Sequence, residues 1–339
     1  VWRTDGQKPR QRASEALIEE IVDLRRMGFR FVLLADDNFY PVTLTDLKLA
    51  ERQGNQERID ELKAIRAERF ELMRRLADLP EDMMFFTQIT MEAAEDPEYL
   101  NAMAKARVRG ALVGVESVTE EGLKAVYKDF NESGDQLIAK LRKFREHGVY
   151  ILGSFIFGLP TDREDTFTAT VELAQKADSM FAQFVMLTPH PGTIDFMKWE
   201  KEQDKDPTLI DGIPLTRFWL LPHGKRPKLA MPHPTMSRED VRLGTLAAWQ
   251  DFYSFSAIWS RAKVCTVRLR SRLMFVMISK LFLQMYAQTG MATDSARRSK
   301  ANVWARWWAK RALPLFKAKP LPNLQIPVLE PAANEAAGS

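Results

Sequence analysis

Four short polar or Gly/Pro-marked segments, each closing an apolar run, hold the residues of this chain that could do chemistry: Ala35-Asp36-Asp37-Asn38-Phe39, Gly114-Val115-Glu116-Ser117, Gly158-Leu159-Pro160 and Leu187-Thr188-Pro189-His190-Pro191-Gly192-Thr193. Adjacent carboxylates at Asp36 and Asp37 repel unless a cation or donor sits beside them, so this segment suits an ammonium group, a metal ion or a lysine. Helix capping or loop hydrogen bonding by Asp37 and Asn38 explains the same residues without a ligand. Glu116 directly follows Val113-Gly114-Val115, where a carboxylate can bind ribose hydroxyls or an amino group, or hold an arginine such as Arg109. Ser117-Val118-Thr119 can simply cap the next helix. Gly153 and Gly158 let a flat molecule such as a nucleobase approach the backbone, with the Pro189–Thr193 turn rigid beside it.

Five apolar runs must position these segments. Ser14 to Met27 carries a helical stripe of Leu17, Ile18, Ile21, Val22 and Leu24, with Ser14 as cap and Gly28 as stop, and feeds a buried strand from Phe29 to Ala35. A charged helical pair broken at Gly54 and Asn55 spans Thr45 to Leu76. Strands are then expected at Met83–Met91, which carries Gln88, and at Gly110–Val115, Tyr150–Phe157 and Phe181–Leu187. Helices intervene at Pro97–Ala106, Thr119–Tyr127, Asp135–Glu146 and Thr166–Ala177. Polar exits repeated along a strand–helix series are what a parallel barrel with its site at one end requires, because only the C-terminal strand ends and their loops converge there.

After about residue 195 the pattern gives way to a Pro-rich connection through residue 260, with helices resuming near Ser237. From Arg261 to Lys319 fourteen basic side chains face Asp294 alone, a net of +13 that leaves the rest of the chain at −9. Such asymmetry suits an anionic lipid surface, nucleic acid, an acidic partner or a solvated face. Trp304, Trp307 and Trp308 among Arg306, Lys310 and Arg311 fit an interfacial helix, or a Trp cluster packed on the barrel. No nucleic-acid motif accompanies the charge, so no nucleic-acid partner is expected. Leu273 to Ala287 is too short and too interrupted to cross a membrane. The chain is expected to be cytoplasmic, peripheral to the membrane through 261–319, with a disordered Pro/Ala-rich tail over 320–339. Cys265 is the one cysteine, so neither a disulfide nor a cysteine metal site can be completed within these residues, and the four histidines are scattered rather than spaced as ligands.

The ordered combination of Ala35–Phe39, Val113–Ser117, Ser154–Pro160 and Leu187–Thr193 resembles the radical S-adenosylmethionine superfamily, in particular its members with an N-terminal cobalamin-binding domain. The resemblance covers residues 1–195. It implies an α/β fold, a partial (β/α)6 TIM-like barrel lacking its first strand, followed by a mainly helical C-terminal region. It also implies S-adenosylmethionine and a [4Fe–4S] cluster as cofactors, with cobalamin, an electron donor and a small-molecule substrate, which the Arg/Trp-rich C-terminus suggests is lipid-like. Asp36, Asp37 and Asn38 would lie where the methionine amino group binds, Glu116 and Ser117 at the ribose or methionine end, and Ile156 to Gly158 with Leu187 and Pro189 beside the adenine; Gln88 completes the cofactor-binding set. The family's CxxxCxxC loop is missing here, and Val1-Trp2-Arg3 resembles the residues directly after its third cysteine. The expectation is therefore a fragment of a methyl-transferring or radical-generating enzyme, inactive as it stands. A cluster-free nucleotide-binding or partner subunit, and a metal-dependent barrel using Asp36, Asp37 and Glu116, are the alternatives.

Overall fold

The computed structural model describes residues 11–125, 134–188, 190–227, 232–265, 268–289, 307, 311 and 318–326. Five strands form one sheet in the order β1-β2-β3-β4-β5: Phe31–Leu33, Met84–Ile89, Val108–Glu116, Tyr150–Phe157 and Phe181–Met186. They run parallel with helices between them, the α/β strand–helix order expected of a partial (β/α)6 barrel. Phe31 pairs with Met84 and Leu33 with Phe86, while Leu152 to Phe157 pair with Phe181 to Met186. The chain divides into two compact units: the described residues of Pro9–Leu112, Lys143–Tyr150 and Ala312–Ser339 form one, those of Val113–Arg142 and Ile151–Arg311 the other.

In the first unit α1 (Ser14–Arg26) buries Ile18, Ile21 and Val22. Ser14 was expected to cap it, but the cap is Ala13, and Ser14 is the first helical residue and is buried. Gly28 ends the helix at φ +99°, where a Cβ would come within 3.0 Å of the Ala318 carbonyl oxygen. The tail, expected to be disordered from Pro320, contains a described segment, 318–326, that is tied to this end: Arg25 Nη1 donates to Lys319 O at 2.9 Å and Arg26 Nε to Leu324 O at 2.8 Å. The expected helical pair is α2 (Leu44–Arg52) and α3 (Gln56–Ala77), separated where Gly54 takes φ +63° and Asn55 accepts from the Arg58 amide at 3.0 Å. Asp96 caps α4 (Pro97–Lys105), with proline in the first turn, where its missing N–H costs nothing.

Three helices, α5 (Glu120–Ala125), α6 (Gly134–Glu146) and α7 (Thr166–Lys176), come between β3 and β5 in the chain, as expected. In the second unit, the Pro-rich connection proves more ordered than its composition suggests. Thr193 caps α8 (Ile194–Gln203), β6 (Leu209–Ile210) and β7 (Ile213–Pro214) form a hairpin, and Phe196, Trp199 and Leu215 make a small core with Ile210, Phe218 and Trp219. Ser237 opens α9 (Arg238–Phe252) with a capping box to Asp240. Then come α10 (Phe255–Cys265) and α11 (Leu269–Thr289).

The free edge of β5 is closed by α9 rather than by a strand. The buried Tyr253 hydroxyl, just past α9, accepts from the Ala182 amide at 3.1 Å and donates to the Ala182 carbonyl at 2.8 Å, and Trp249 Nε1 donates to Phe184 O at 2.9 Å. An edge strand left open is a template for aggregation, and two side chains here do the work of a neighbouring ladder. Among the described residues no helix is long and apolar enough to cross a membrane.

Candidate cofactor-binding site

The first group of candidate residues lies on the loop after β1. Asp36 Oδ1 accepts from the Asn38 amide at 3.0 Å, and its Oδ2 pairs with Arg69 Nη1 of α3 at 2.9 Å. Arg69 is buried and stacks its guanidinium 4.5 Å over the Phe39 ring. The cation that two adjacent carboxylates demanded is therefore a protein arginine. Asn38 Oδ1 accepts from the Tyr40 and Thr90 amides at 3.1 and 3.2 Å, fixing the loop against the end of β2. Gln88, on β2, donates to the Asp37 carbonyl at 3.1 Å, and the Phe39 amide donates to the Gln88 carbonyl at 2.8 Å.

Asn38 thus spends its side chain on the loop, as the reading without a ligand had it, but the aspartate that joins it there is Asp36 and not the expected Asp37. Asp37 is exposed and its carboxylate is unpaired, which makes it the acidic group of this loop open to a cation. Beneath the loop, Asp96 accepts from Arg66 at 2.6 Å, from the Tyr40 hydroxyl at 2.9 Å and from the Tyr99 amide at 3.1 Å. The Tyr99 hydroxyl donates to the Phe39 carbonyl. Burial pushes the Asp96 carboxyl up, but these three donors and the Arg66 charge outweigh it and hold it below the usual range. Burial, with the Asp96 charge, raises the Tyr40 hydroxyl, and burial raises Tyr99, so both stay protonated donors. None of Arg66, Arg69, Asp96 or Tyr99 was found from sequence.

The second group belongs to the other unit. Glu116 ends β3 at φ +68°, a left-handed backbone that a non-glycine residue adopts at a cost of roughly 1–3 kcal/mol and that clusters at functional sites. Ser117 is buried, and its hydroxyl accepts from the Thr119 amide at 3.3 Å while Thr119 Oγ1 accepts from Gly122 N at 3.1 Å. A Cβ on Gly122 would fall 2.1 Å from Ser117 Oγ, so this corner is built around the start of α5. The side chain that caps α5 is therefore that of Thr119, and Ser117 braces the turn before it.

At the end of β4, Gly158 takes φ +89°, and Asp162 Oδ2 accepts from the Gly158 and Leu159 amides at 2.8 and 3.0 Å. His233 Nδ1 accepts from the Thr235 and Met236 amides at 3.2 and 3.0 Å, which leaves the proton on Nε2 to donate to Leu159 O at 2.8 Å. Two side chains therefore clamp the Gly158–Leu159 turn from both sides. Burial raises the Asp162 carboxyl, more than the two amides, His233 and Arg163 lower it. Ile156 and Leu187 are half-buried, and the Leu187 amide extends the ladder to Phe157 O at 2.7 Å. Pro189 lies outside the described residues, while the turn after it is closed by Thr193 Oγ1 donating to His190 O at 2.8 Å. Gly153 does not open the backbone to a ligand: a Cβ there would meet the Phe155 ring at 2.9 Å. Asp162 follows Gly-Leu-Pro-Thr, and an aspartate closing a Gly/Pro turn onto backbone amides was a signal available in the sequence.

The metal-dependent alternative loses Asp36 to Arg69, and among the described residues no three His, Cys, Asp or Glu side chains gather as a metal site. The residues fit a nucleoside-like ligand better, through the clamped turn with Ile156 and Leu187 beside it. They do not fit an iron–sulfur cluster, because Cys265 is the one thiol in the sequence.

A family model described as the Radical SAM superfamily matches residues 1–174. Bacteriochlorophyllide d C-12(1)-methyltransferase of Chlorobaculum tepidum is 29% identical over 161 residues, 44% of this chain and 34% of that protein. Hopanoid C-2 methylase of Rhodopseudomonas palustris is 25% identical over 224 residues, 64% of this chain and 37% of that protein. Among solved structures, the radical S-adenosylmethionine methyltransferase TsrM of Kitasatospora setae, with cobalamin and a [4Fe-4S] cluster bound, is similar over 61% of this chain and 38% of that one, at 18% identity and a TM-score of 0.46. The chain spans between 26% and 44% of the length of the curated relatives it matches.

Proposed function

The chain belongs to the radical SAM superfamily, and on that premise we propose that it forms the nucleoside- and substrate-binding part of a methyl-transferring radical S-adenosylmethionine enzyme. The observation that carries this reading is the order of strand exits on a five-stranded parallel sheet, with the turn after β4 fixed at Gly158–Leu159 by Asp162 and His233. Relatives named as methyltransferases support the reaction class. Two of them are named for acting on a bacteriochlorophyllide and a hopanoid, which supports an apolar, lipid-like substrate here. The use of cobalamin rests on the sequence resemblance.

When bound, the cluster would supply the electron that splits S-adenosylmethionine into methionine and a 5′-deoxyadenosyl radical, whereas donation of the methyl group leaves S-adenosylhomocysteine and takes no electron from it. The chain's own residues bind and orient. Asp37 presents a carboxylate for the methionine ammonium, held in place by Gln88 through its backbone. In the other unit, the half-buried Ile156 and Leu187 offer apolar contact to a nucleobase and Glu116 a carboxylate to a ribose. The cluster's thiolates must come from outside these residues. β1 supports this, since it has β2 on one side and no described strand on the other, with Phe31 and Leu33 about three-fifths exposed on that face.

The test is to read the coding sequence in frame upstream of Val1 and to purify the encoded protein anaerobically after loading with iron and sulfide. The expected protein carries CxxxCxxC, gains a brown iron–sulfur chromophore and consumes S-adenosylmethionine, giving S-adenosylhomocysteine or 5′-deoxyadenosine. Within it, Gly158→Val should weaken S-adenosylmethionine binding at least about tenfold, because a β-branched residue resists a positive φ. An encoded protein without the three cysteines, or one that binds a cluster and leaves S-adenosylmethionine untouched, overturns the enzymatic reading.

A further inference from the structure

Helix α11 has two faces of opposite use. Phe275, Ser279, Phe282 and Tyr286 recur at spacings of four, three and four and turn inward. The Phe275 and Phe282 rings lie 5.6 and 5.1 Å from Phe181, and the Tyr286 ring lies 5.1 Å from Trp249. Lys280 anchors the helix by donating to Tyr253 O at 2.6 Å. The other side of the helix is apolar and open, with Leu269, Leu273, Ile278 and Met285 exposed by 62, 55, 44 and 51%. A soluble monomer seldom leaves so many large apolar side chains together on one helix without a use for them.

Charge identifies the occupant. From Phe252 to Thr289 there is no aspartate or glutamate, while six basic residues fall in that stretch, of which Lys263 and Arg270 are exposed. Phe255 is 61% exposed at the start of α10 and stacks on Trp259 at 6.1 Å, an aromatic pair suited to the depth of lipid headgroups. A protein partner would be expected to meet a rim of both signs; exposed apolar side chains in a stretch whose charges are all basic match a layer of anionic headgroups over hydrocarbon. We propose that α10 and the outer face of α11 dock on an anionic membrane surface, with α11 lying along the interface. The basic residues that interrupt the helix keep it from crossing, in line with the absence of a spanning helix among the described residues.

This proposal is independent of the methyl-transfer reading, and its test uses no cofactor. The 339-residue chain would be sedimented with vesicles of phosphatidylcholine alone and of phosphatidylcholine with roughly a third phosphatidylserine. Expected is partition onto the anionic vesicles at least about tenfold above the neutral ones, lost as salt rises from about 0.1 to about 1 M and the screening length falls from about 10 to about 3 Å. Arg270→Gln should weaken binding about fivefold, since each basic group at such a surface contributes a factor of that order. Leu273→Asp should weaken it by roughly tenfold or more through lost apolar burial, and Lys201→Gln, an exposed lysine on α8, should leave it unchanged. Both test positions are exposed, so circular dichroism should show an unchanged fold. No partition, equal partition onto neutral vesicles, or full binding by Leu273→Asp overturns the proposal. So does an oligomer, dissociated by Leu273→Asp, that ignores vesicles: the face would then belong to a second copy of the chain.

Discussion

Two carboxylates, Asp96 and Asp162, support the two groups of candidate residues with opposite dependence on pH. Asp96 has a folded-state value below its ordinary 3.8, so the native state binds fewer protons than the unfolded chain. Its contribution is complete above about pH 4 and is lost as pH falls through the lowered value. Asp162 has a folded value above 3.8, so the native state favours the protonated form, and stability declines as pH rises from that value through the raised one. Melting temperature against pH should therefore lose its acid-side drop from this source in Asp96→Asn, and lose a component of decline on the other side in Asp162→Asn. Asp96→Asn breaks a nearly buried pair with Arg66 and should cost about 3–5 kcal/mol, and urea melts giving under about 1 kcal/mol would mean that water already compensates the pair. Asp162→Ala orphans two amides and should cost about 2–4 kcal/mol while weakening nucleoside binding; unchanged binding with that loss would separate the turn from the ligand. At this scale the sequence located the polar strand exits but not what each residue does there. Asn38 was legible as a loop former because its partner, the amide two residues on, is local, whereas the aspartate that does the same is Asp36 and not the expected Asp37. The partner that fixed the outcome for Asp36 is Arg69, brought by the packing of α3, and no local pattern announces it.

The elements were the most legible level. All five strands were foreseen because each reads as a continuous apolar run, and the errors lie in extent and burial: β3 begins at Val108 rather than Gly110, just after Arg107 turns at φ +59°, and β1, expected as a buried strand over Phe29–Ala35, is Phe31–Leu33 with both of those side chains exposed. The hairpin over 209–214 and helix α8 were passed over because prolines were read as interruptions, whereas Pro207 precedes the hairpin and Pro214 ends its second strand. The role of α9 was invisible for a different reason. Its apolar stripe announces burial, but only the placed Tyr253 and Trp249 show that it supplies hydrogen bonds to the β5 edge. Tyr253→Phe keeps the ring and removes the hydroxyl, leaving the buried Ala182 amide and carbonyl without their partner. It should cost about 1–3 kcal/mol in urea unfolding. A loss below about 0.5 kcal/mol would show that α9 holds the edge by ring packing alone, through Phe184 and Phe252.

Among the described residues, apolar side chains stand exposed on α11 and on β1–β2, and the two surfaces call for different partners. The outer face of α11 is bordered by cations; the β1–β2 face, where Phe31, Leu33 and Met84 are exposed by 59, 60 and 47%, is a strip of sheet beside an open strand edge. The charge asymmetry raised a basic face over 261–319 as one expectation but not the exposed apolar side chains of α11, and the second surface was hidden because a buried strand and an uncovered one have the same apolar run. An open edge with an apolar face is the geometry that pairs with another strand, so the 339-residue chain should associate with itself as concentration rises. Leu33→Lys places a charge on that face without touching the core. In the 339-residue chain it should weaken association at least about tenfold in sedimentation velocity and leave stability within about 0.5 kcal/mol, as an exposed substitution does. In a longer protein that lays a strand on this edge, the same lysine would be buried and should cost roughly 2–4 kcal/mol. The sign of the difference between the two proteins thus reports whether the edge is filled. A 339-residue chain that stays monomeric at all concentrations, with Leu33→Lys equally neutral in both, would mean that this face needs no partner and that the half-barrel is complete as five strands.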